Sequence, residues 1–124
     1  MIAMPIELVE RAPALADAQA VLPLLKLMSE PNRLRLFALL AGGERCVCEI
    51  EADMRLPQNL VSHHLGMLRD AGFIRARRAG RWVYYSVNRE ALAGIYPVIC
   101  RLFNPDCVSD ASTAGSACNV CATK

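Results

Sequence analysis

Gln58-Asn59-Leu60-Val61-Ser62-His63-His64-Leu65-Gly66-Met67-Leu68-Arg69-Asp70, closed by Ala71-Gly72, is the stretch on which the fold turns. Val61, Leu65 and Leu68 recur at i, i+4 and i+7. That spacing puts an apolar stripe on the core side of a helix and leaves Asn59, Ser62, His63 and Gly66 facing out. Past Gly72 the period changes. Ile74-Arg75-Ala76-Arg77, a turn at Ala79-Gly80, and Arg81-Trp82-Val83-Tyr84-Tyr85-Ser86-Val87 alternate, with aromatic and β-branched residues around a glycine. The pattern predicts a β-hairpin.

Three helical segments precede this pair. Residues 14–28 carry Leu15, Val21, Leu22, Leu25 and Met28, and Pro23, which lacks a backbone donor, is expected to divide or restart the helix. Ser29-Glu30-Pro31 starts the second helix, with the serine as cap and the proline near the first helical position; Leu34, Phe37 and Leu40 follow at spacing three with Leu36 beside them, and Gly42-Gly43 ends it. Cys46 to Met54 is a third, short helix, which Leu56-Pro57 breaks. Beyond the hairpin, Asn88 to Phe103 is helical again, with Leu92, Ile95, Ile99 and Leu102 nearly on one face and Pro97 as a kink. Two short helices, a longer helix and a basic hairpin give a winged helix-turn-helix, a mainly α chain with a β-hairpin wing (α+β). The apolar last helix needs a partner, and it is expected to pack with the first helix across a two-fold axis, so that the N- and C-terminal helices form a dimer. Residues 1–104 are thus expected to be one DNA-binding and dimerisation domain. Residues 105–124, rich in small polar residues, read as a flexible C-terminal tail holding Cys107, Cys118 and Cys121.

Composition narrows the function classes. Of the 124 residues 54% are hydrophobic, yet Asp17, Lys26, Arg33 and Arg35 interrupt the apolar runs, and none reaches the roughly 18 residues of a membrane span, so no membrane partner is expected. The first ten residues show no export pattern, which makes the cytoplasm the expected location. There, six cysteines argue for metal ligands or redox thiols over a disulfide framework. The formal net charge of +2 is unevenly placed: Met54 to Arg89 holds seven arginines against Asp70 alone, whereas Glu44 to Asp53 sets four acids against Arg45. A basic stripe on a near-neutral chain suits phosphate contact, and the acidic stretch suits cations.

A DNA-reading helix presents short polar side chains near its N-terminal half, and Gln58, Asn59, Ser62 and His63 meet that demand. Arg75, Arg77, Arg78 and Arg81 cluster on the hairpin, where a wing meets the minor groove or the flanking backbone. The bland alternatives are a solvated helix face and a solvated charge run. His64, three residues from Val61, is assigned to holding the helix. Trp82, Tyr84 and Tyr85 are assigned to packing within the hairpin.

Cys46 and Cys48 stand just upstream of the reading helix, and thiolates select soft ions such as Zn(II), Cd(II), Pb(II) or As(III). The alternative is a pair of small core residues. On a regular helix i and i+2 point roughly 200° apart, so both sulfurs reach one ion only if the first turn loosens or Cys46 lies at the cap. Metal binding is therefore expected to strain that turn and move Gln58 to His63 out of register with the groove. The helix start is also expected to lower the thiol pKa.

The run Ser29-Glu30-Pro31-Asn32-Arg33-Leu34, then Ser62 through Ile74, then Gly80-Arg81-Trp82-Val83-Tyr84-Tyr85 resembles the ArsR/SmtB family of metal-sensing repressors over about residues 15–103. The resemblance implies a homodimer that binds double-stranded operator DNA at an inverted repeat without metal and releases it when metal binds; it implies no enzyme and no small organic substrate. Cys46-Val47-Cys48-Glu49-Ile50 resembles the third-helix element of the family's arsenic, antimony, cadmium and lead sensors, which points to As(III) or Sb(III) as inducer, with Cd(II) or Pb(II) as the alternative. The related motif often places a third sulfur three residues after the second, where this chain has Glu51. A further ligand is then expected from Cys107, Cys118 or Cys121; Cys118 and Cys121 with Cys46 and Cys48 would make a four-sulfur site for Zn(II), Cd(II) or Pb(II). The family's His and Asp site has no counterpart, because both histidines lie on the reading helix. Three further alternatives remain: a thiol redox enzyme at Cys118 and Cys121, a thiol-redox-responsive regulator, and a structural zinc module.

Overall fold

The computed structural model describes residues 14–107. Its first helix, α1 (Ala14–Met28), runs unbroken through Pro23. Pro23 and Gln19, whose carbonyl loses its donor, are both exposed, so water can replace the missing bond and the expected division does not occur. Val21, Leu24 and Leu27 are the buried positions of α1, and Leu25 is exposed.

Helix α2 (Pro31–Ala41) is capped by Glu30 rather than by the serine: its Oε2 accepts the Arg33 N–H at 2.9 Å, whereas the Ser29 hydroxyl donates back to the Lys26 carbonyl. Leu36 and Leu40, one turn apart, are the core positions, and Leu34 is 52% exposed. The core row therefore follows i, i+4 spacing and not the spacing of three that the leucines suggested.

The chain then makes a two-residue strand, β1 (Arg45–Cys46), so that Cys46 belongs to a strand and not to the helix expected from it to Met54; α3 spans Val47–Met54. After the left-handed turn at Arg55 (φ 55°), α4 covers Gln58–Asp70. Strands β2 (Ile74–Ala79) and β3 (Trp82–Val87) form the hairpin, with Gly80 at φ 62° making the tight turn. The antiparallel sheet is ordered β1-β3-β2, and one cross-strand row joins Cys46, Tyr84 and Arg77. Helix α5 (Arg89–Phe103) starts where Asn88 Oδ1 accepts the Ala91 N–H, and a 3-10 turn, Pro105–Cys107, follows.

Residues Leu24–Leu92 form one compact unit; the described residues of the other are 14–23 and 93–107. The first unit is a winged helix-turn-helix. Leu36, Leu40, Ile50, Val61, Leu65 and Leu68 are almost wholly enclosed at its centre, each contributing roughly 1.5–3 kcal/mol through burial. In the second unit Asp17 and Arg101 join α1 to α5 at 3.0 and 3.2 Å. Leu92, Ile95, Ile99 and Leu102 of α5 are each only partly covered. Among the described residues no helix is long and apolar enough to cross a membrane.

Candidate nucleic-acid interface and thiol site

The inner stripe of α4 fixes what its outer side can offer. With Val61, Leu65 and Leu68 locked in the core, Gln58, Asn59, Ser62 and His63 are exposed together on the outside. His64 belongs to the inside: it is buried, its Nδ1 lies 3.4 Å from Arg33 Nη1 and its Nε2 3.7 Å from Glu30 Oε2. Because arginine is only a donor, Nδ1 is the acceptor and the ring proton sits on Nε2, toward the carboxylate. Burial lowers the His64 pKa below its ordinary 6.5, Glu30 opposes this, and Arg33 and His63 add to it. Arg33 in turn donates from Nε to the Leu27 carbonyl at 2.8 Å. The structural role assigned to His64 matches this geometry: it pins α4 to the start of α2.

The wing arginines divide into two pairs. Arg75 meets Glu90 at 2.9 Å, and Arg77 makes a two-pronged bond to Glu44 at 2.7 and 3.1 Å, with its guanidinium carbon 4.7 Å from the Tyr84 ring centre. The Arg77 bond holds the Glu44 carboxyl below the usual range, and Glu44 raises Arg77. Arg78 and Arg81, both exposed, have no ion pair or side-chain hydrogen bond among the described residues. The acidic stretch beginning at Glu44 thus partly neutralises the basic wing, a link the sequence could not show before the β1·β3·β2 register was known. Of the three wing aromatics, Tyr85 is buried in the core and Tyr84 carries the Arg77 contact. Trp82, at 51% exposure near the tip, is not packed as expected.

Cys46 has a compound position. It is buried, it pairs with Tyr84 across the sheet, and in extended conformation (φ −80°, ψ 161°) it is the N-cap of α3. Its sulfur faces the Glu49 N–H while the Glu49 carboxylate accepts the Cys46 N–H at 3.2 Å, a capping box with a thiol where serine or threonine is usual. Of the two routes by which residues 46 and 48 could share an ion, the chain takes the cap. The Cys48 thiol, exposed at the surface, is close enough to be the main cause that raises the Cys46 pKa. This reverses the expected lowering: the Glu49 N–H does pull the thiol down, but the neighbouring thiol and burial outweigh it. Arg45 lies 3.9 Å from Glu49.

Beside Cys48 opens a cleft of about 350 Å³. Val47, Cys48 and Glu51 of α3 form one wall, and Gln58 and Ser62 of α4 another. Arg81, Trp82 and Val83 of the wing close it. Two of the four proposed helix readers and one wing arginine thus share a cavity with a thiol; Asn59 and His63 do not line it. Among the described residues no three His, Cys, Asp or Glu side chains gather as a metal site, so Glu51 does not complete the pair. Cys107 ends the 3-10 turn, and Cys118 and Cys121 lie outside the described residues.

The arsR family of bacterial regulatory proteins matches residues 30–76. Over 83 residues the chain is 37% identical to a transcriptional repressor SmtB homolog of Synechocystis, covering 67% of this chain and 63% of that protein. Over 66 residues it is 42% identical to an arsenic resistance transcriptional regulator of Pseudomonas putida, covering 52% of each. The chain thus spans between about half and just under two thirds of these curated relatives. The crystal structure of the transcriptional repressor BigR from Xylella fastidiosa superposes at a TM-score of 0.59 and 31% identity, over 81% of this chain and 97% of that one. With the family match running from the cap of α2 through α4 into the wing, and this likeness sustained along nearly the whole of a solved winged-helix regulator, the chain belongs to the ArsR family of bacterial regulatory proteins.

Proposed function

We propose that this chain is a transcriptional repressor that binds double-stranded operator DNA as a homodimer and lets go when As(III) or Sb(III) bonds to Cys46 and Cys48. The observation that carries this reading is the triple duty of Cys46, which is at once a soft donor, the cap of α3 and the β1 partner of the wing residue Tyr84. Two adjacent thiols fit a soft trivalent ion. Bonding to it turns the Cys46 sulfur away from the Glu49 N–H, so the first turn of α3 loses its cap and β1 is pulled from its place beside β3. The disturbance reaches the wing through Tyr84 and Arg77, so the wing shifts against α4 and the two DNA-contacting elements lose their common register. The arsenic-named relative supports the choice of ion. The partly covered apolar face of α5, and its tie to α1 through Asp17 and Arg101, support a dimer built from the terminal helices. In this reading residues 1–104 are the working domain, and Cys107, Cys118 or Cys121 from residues 105–124 supply a third sulfur to inorganic arsenic.

The test is a gel-shift titration of the reduced protein on its own upstream DNA with As(III), Sb(III), Cd(II), Pb(II) and Zn(II), and with oxidant as a separate arm. Arsenite and antimonite are expected to release the DNA, and Cys46→Ser and Cys48→Ser to abolish release while keeping affinity for the operator. Unchanged induction in both variants would refute the thiol mechanism. Release by Cd(II) or Pb(II) alone would move the reading to those ions, and release by oxidant alone to a redox regulator.

A further inference from the structure

Resting on the DNA-binding reading alone, and not on the inducing ion, we infer that the cleft bounded by α3, α4 and the wing seats one sugar-phosphate strand of the operator, so that bound DNA covers Cys48. Adjacent grooves of a duplex are separated by a single backbone strand. A helix in the major groove and a wing in the neighbouring minor groove therefore straddle that strand, and the space between them has to hold it. In this fold that space is the cleft of about 350 Å³, with Gln58 and Ser62 of α4 on one side and Arg81, Trp82 and Val83 of the wing on the other. The first helix of a helix-turn-helix crosses the backbone, and here α3 closes the cleft with Val47, Cys48 and Glu51.

The lining suits this occupant. Arginine, serine and glutamine are donors by which proteins hold phosphates and sugars, and no carboxylate pairs with Arg81 among the described residues. Trp82, 51% exposed, offers a flat apolar face to a deoxyribose and an indole N–H to an oxygen. Glu51, the carboxylate of the lining, repels a phosphate, which assigns the phosphate to the Arg81 side and the sugar to Trp82 and Val83. The exposed Cys48 thiol then lies under the strand, and DNA competes directly with any group carried on that sulfur. The four helix residues also divide. Gln58 and Ser62, inside the cleft, hold the backbone, whereas the exposed Asn59 and His63, outside it, are left to read bases.

The experiment treats the reduced full-length chain with iodoacetamide, free and with its own upstream duplex at about ten times Kd, and follows each cysteine by fragment mass. Each alkylation forms one S–C bond and breaks one C–I bond, releasing iodide and a proton. If only the free chain exposes Cys48, its rate falls by one plus the ratio of duplex to Kd, about tenfold here, while Cys100 on α5 keeps its rate. Trp82, the chain's one tryptophan, should change its emission when the duplex binds. Cys48→Phe is expected to bind the duplex at least about tenfold more weakly than Cys48→Ala, with urea unfolding as the check that both fold. Gln58→Ala and Ser62→Ala should weaken binding to operator and scrambled duplex alike, and Asn59→Ala and His63→Ala should narrow the gap between the two. Three results overturn the cleft assignment and leave the DNA-binding reading standing: an unprotected Cys48 in the saturated complex, protection with unaltered Trp82 emission, or equal affinity of folded Cys48→Phe and Cys48→Ala. A chain that binds neither duplex removes the DNA-binding reading and this inference with it.

Discussion

Two acid–arginine constellations bracket the reading helix, and they are built in opposite ways. On the inner side Glu30, Arg33 and His64 meet around a buried ring. On the wing side Glu44, Arg77 and Tyr84 meet at the surface, with Arg77 and Tyr84 in the same cross-strand row as Cys46. Polar contacts inside the core are strong where they are complete and costly where they are broken, whereas exposed ion pairs are screened by salt and contribute little. The difference teaches where movement is available. Helix α4 is held to α2 by burial and stays in place, while β1 and the wing are held by replaceable contacts next to the thiols.

The sharpest way to break the comparison is to remove core from the rigid side. Leu68 is fully buried, and Leu68→Ala is expected to cost about 2–5 kcal/mol in urea unfolding. An equally large loss from Arg77→Ala would show that the wing is as firmly built as the core. Next in size is the pH response of His64. Its folded pKa lies below its ordinary 6.5, so the unfolded chain takes the proton first as pH falls. The stability this ring contributes is complete above about pH 6.5 and lost as pH falls through the folded value, with a slope of at most about 1.4 kcal/mol per pH unit. His64→Gln is expected to flatten the profile between pH 7 and 5. A profile unchanged by that substitution would mean that the ring is not the buried neutral group the geometry describes.

The two sides were also unequally legible in the sequence. Val61, Leu65 and Leu68 announced α4 because burial along a helix repeats at a fixed period, and the same logic separated His64 from His63. The hairpin followed from alternation around Ala79-Gly80. Where several apolar rows run side by side, period alone did not choose among them: Leu34 and Leu25 read like core and are exposed, since the choice depends on which neighbour covers the row. The wing side was hidden for a different reason. That Cys46 leaves the helix for a strand, that Glu44 reaches Arg77 across 33 positions, and that Trp82 shares a cleft with Cys48 all follow from the β1·β3·β2 register, which is a long-range property. The thiol pair was visible as chemistry and the cap as one of two routes to a shared ion, but the choice between the routes and the raised pKa were not.

The smallest effect separates the four wing arginines, which look alike in sequence. Among the described residues no carboxylate pairs with Arg78 or Arg81, so Arg78→Ala or Arg81→Ala is expected to lower the slope of log affinity against log salt by about 1 each if the residue meets a phosphate. Arg75 and Arg77 arrive at DNA already paired with Glu90 and Glu44, so each must give up its carboxylate before it displaces a counterion, and its removal should change the slope by less. Glu44→Gln turns the argument around. It frees Arg77 without touching a DNA-facing residue, and should therefore steepen the salt dependence and tighten operator binding modestly at low salt, while Arg77→Ala in the same background cancels the gain. Four equal slopes, or a Glu44→Gln chain indistinguishable from its parent, would mean that the carboxylates at the wing do not limit its charge. The contrast between a fixed reading helix and an adjustable wing would then have to rest on the Cys46 cap alone.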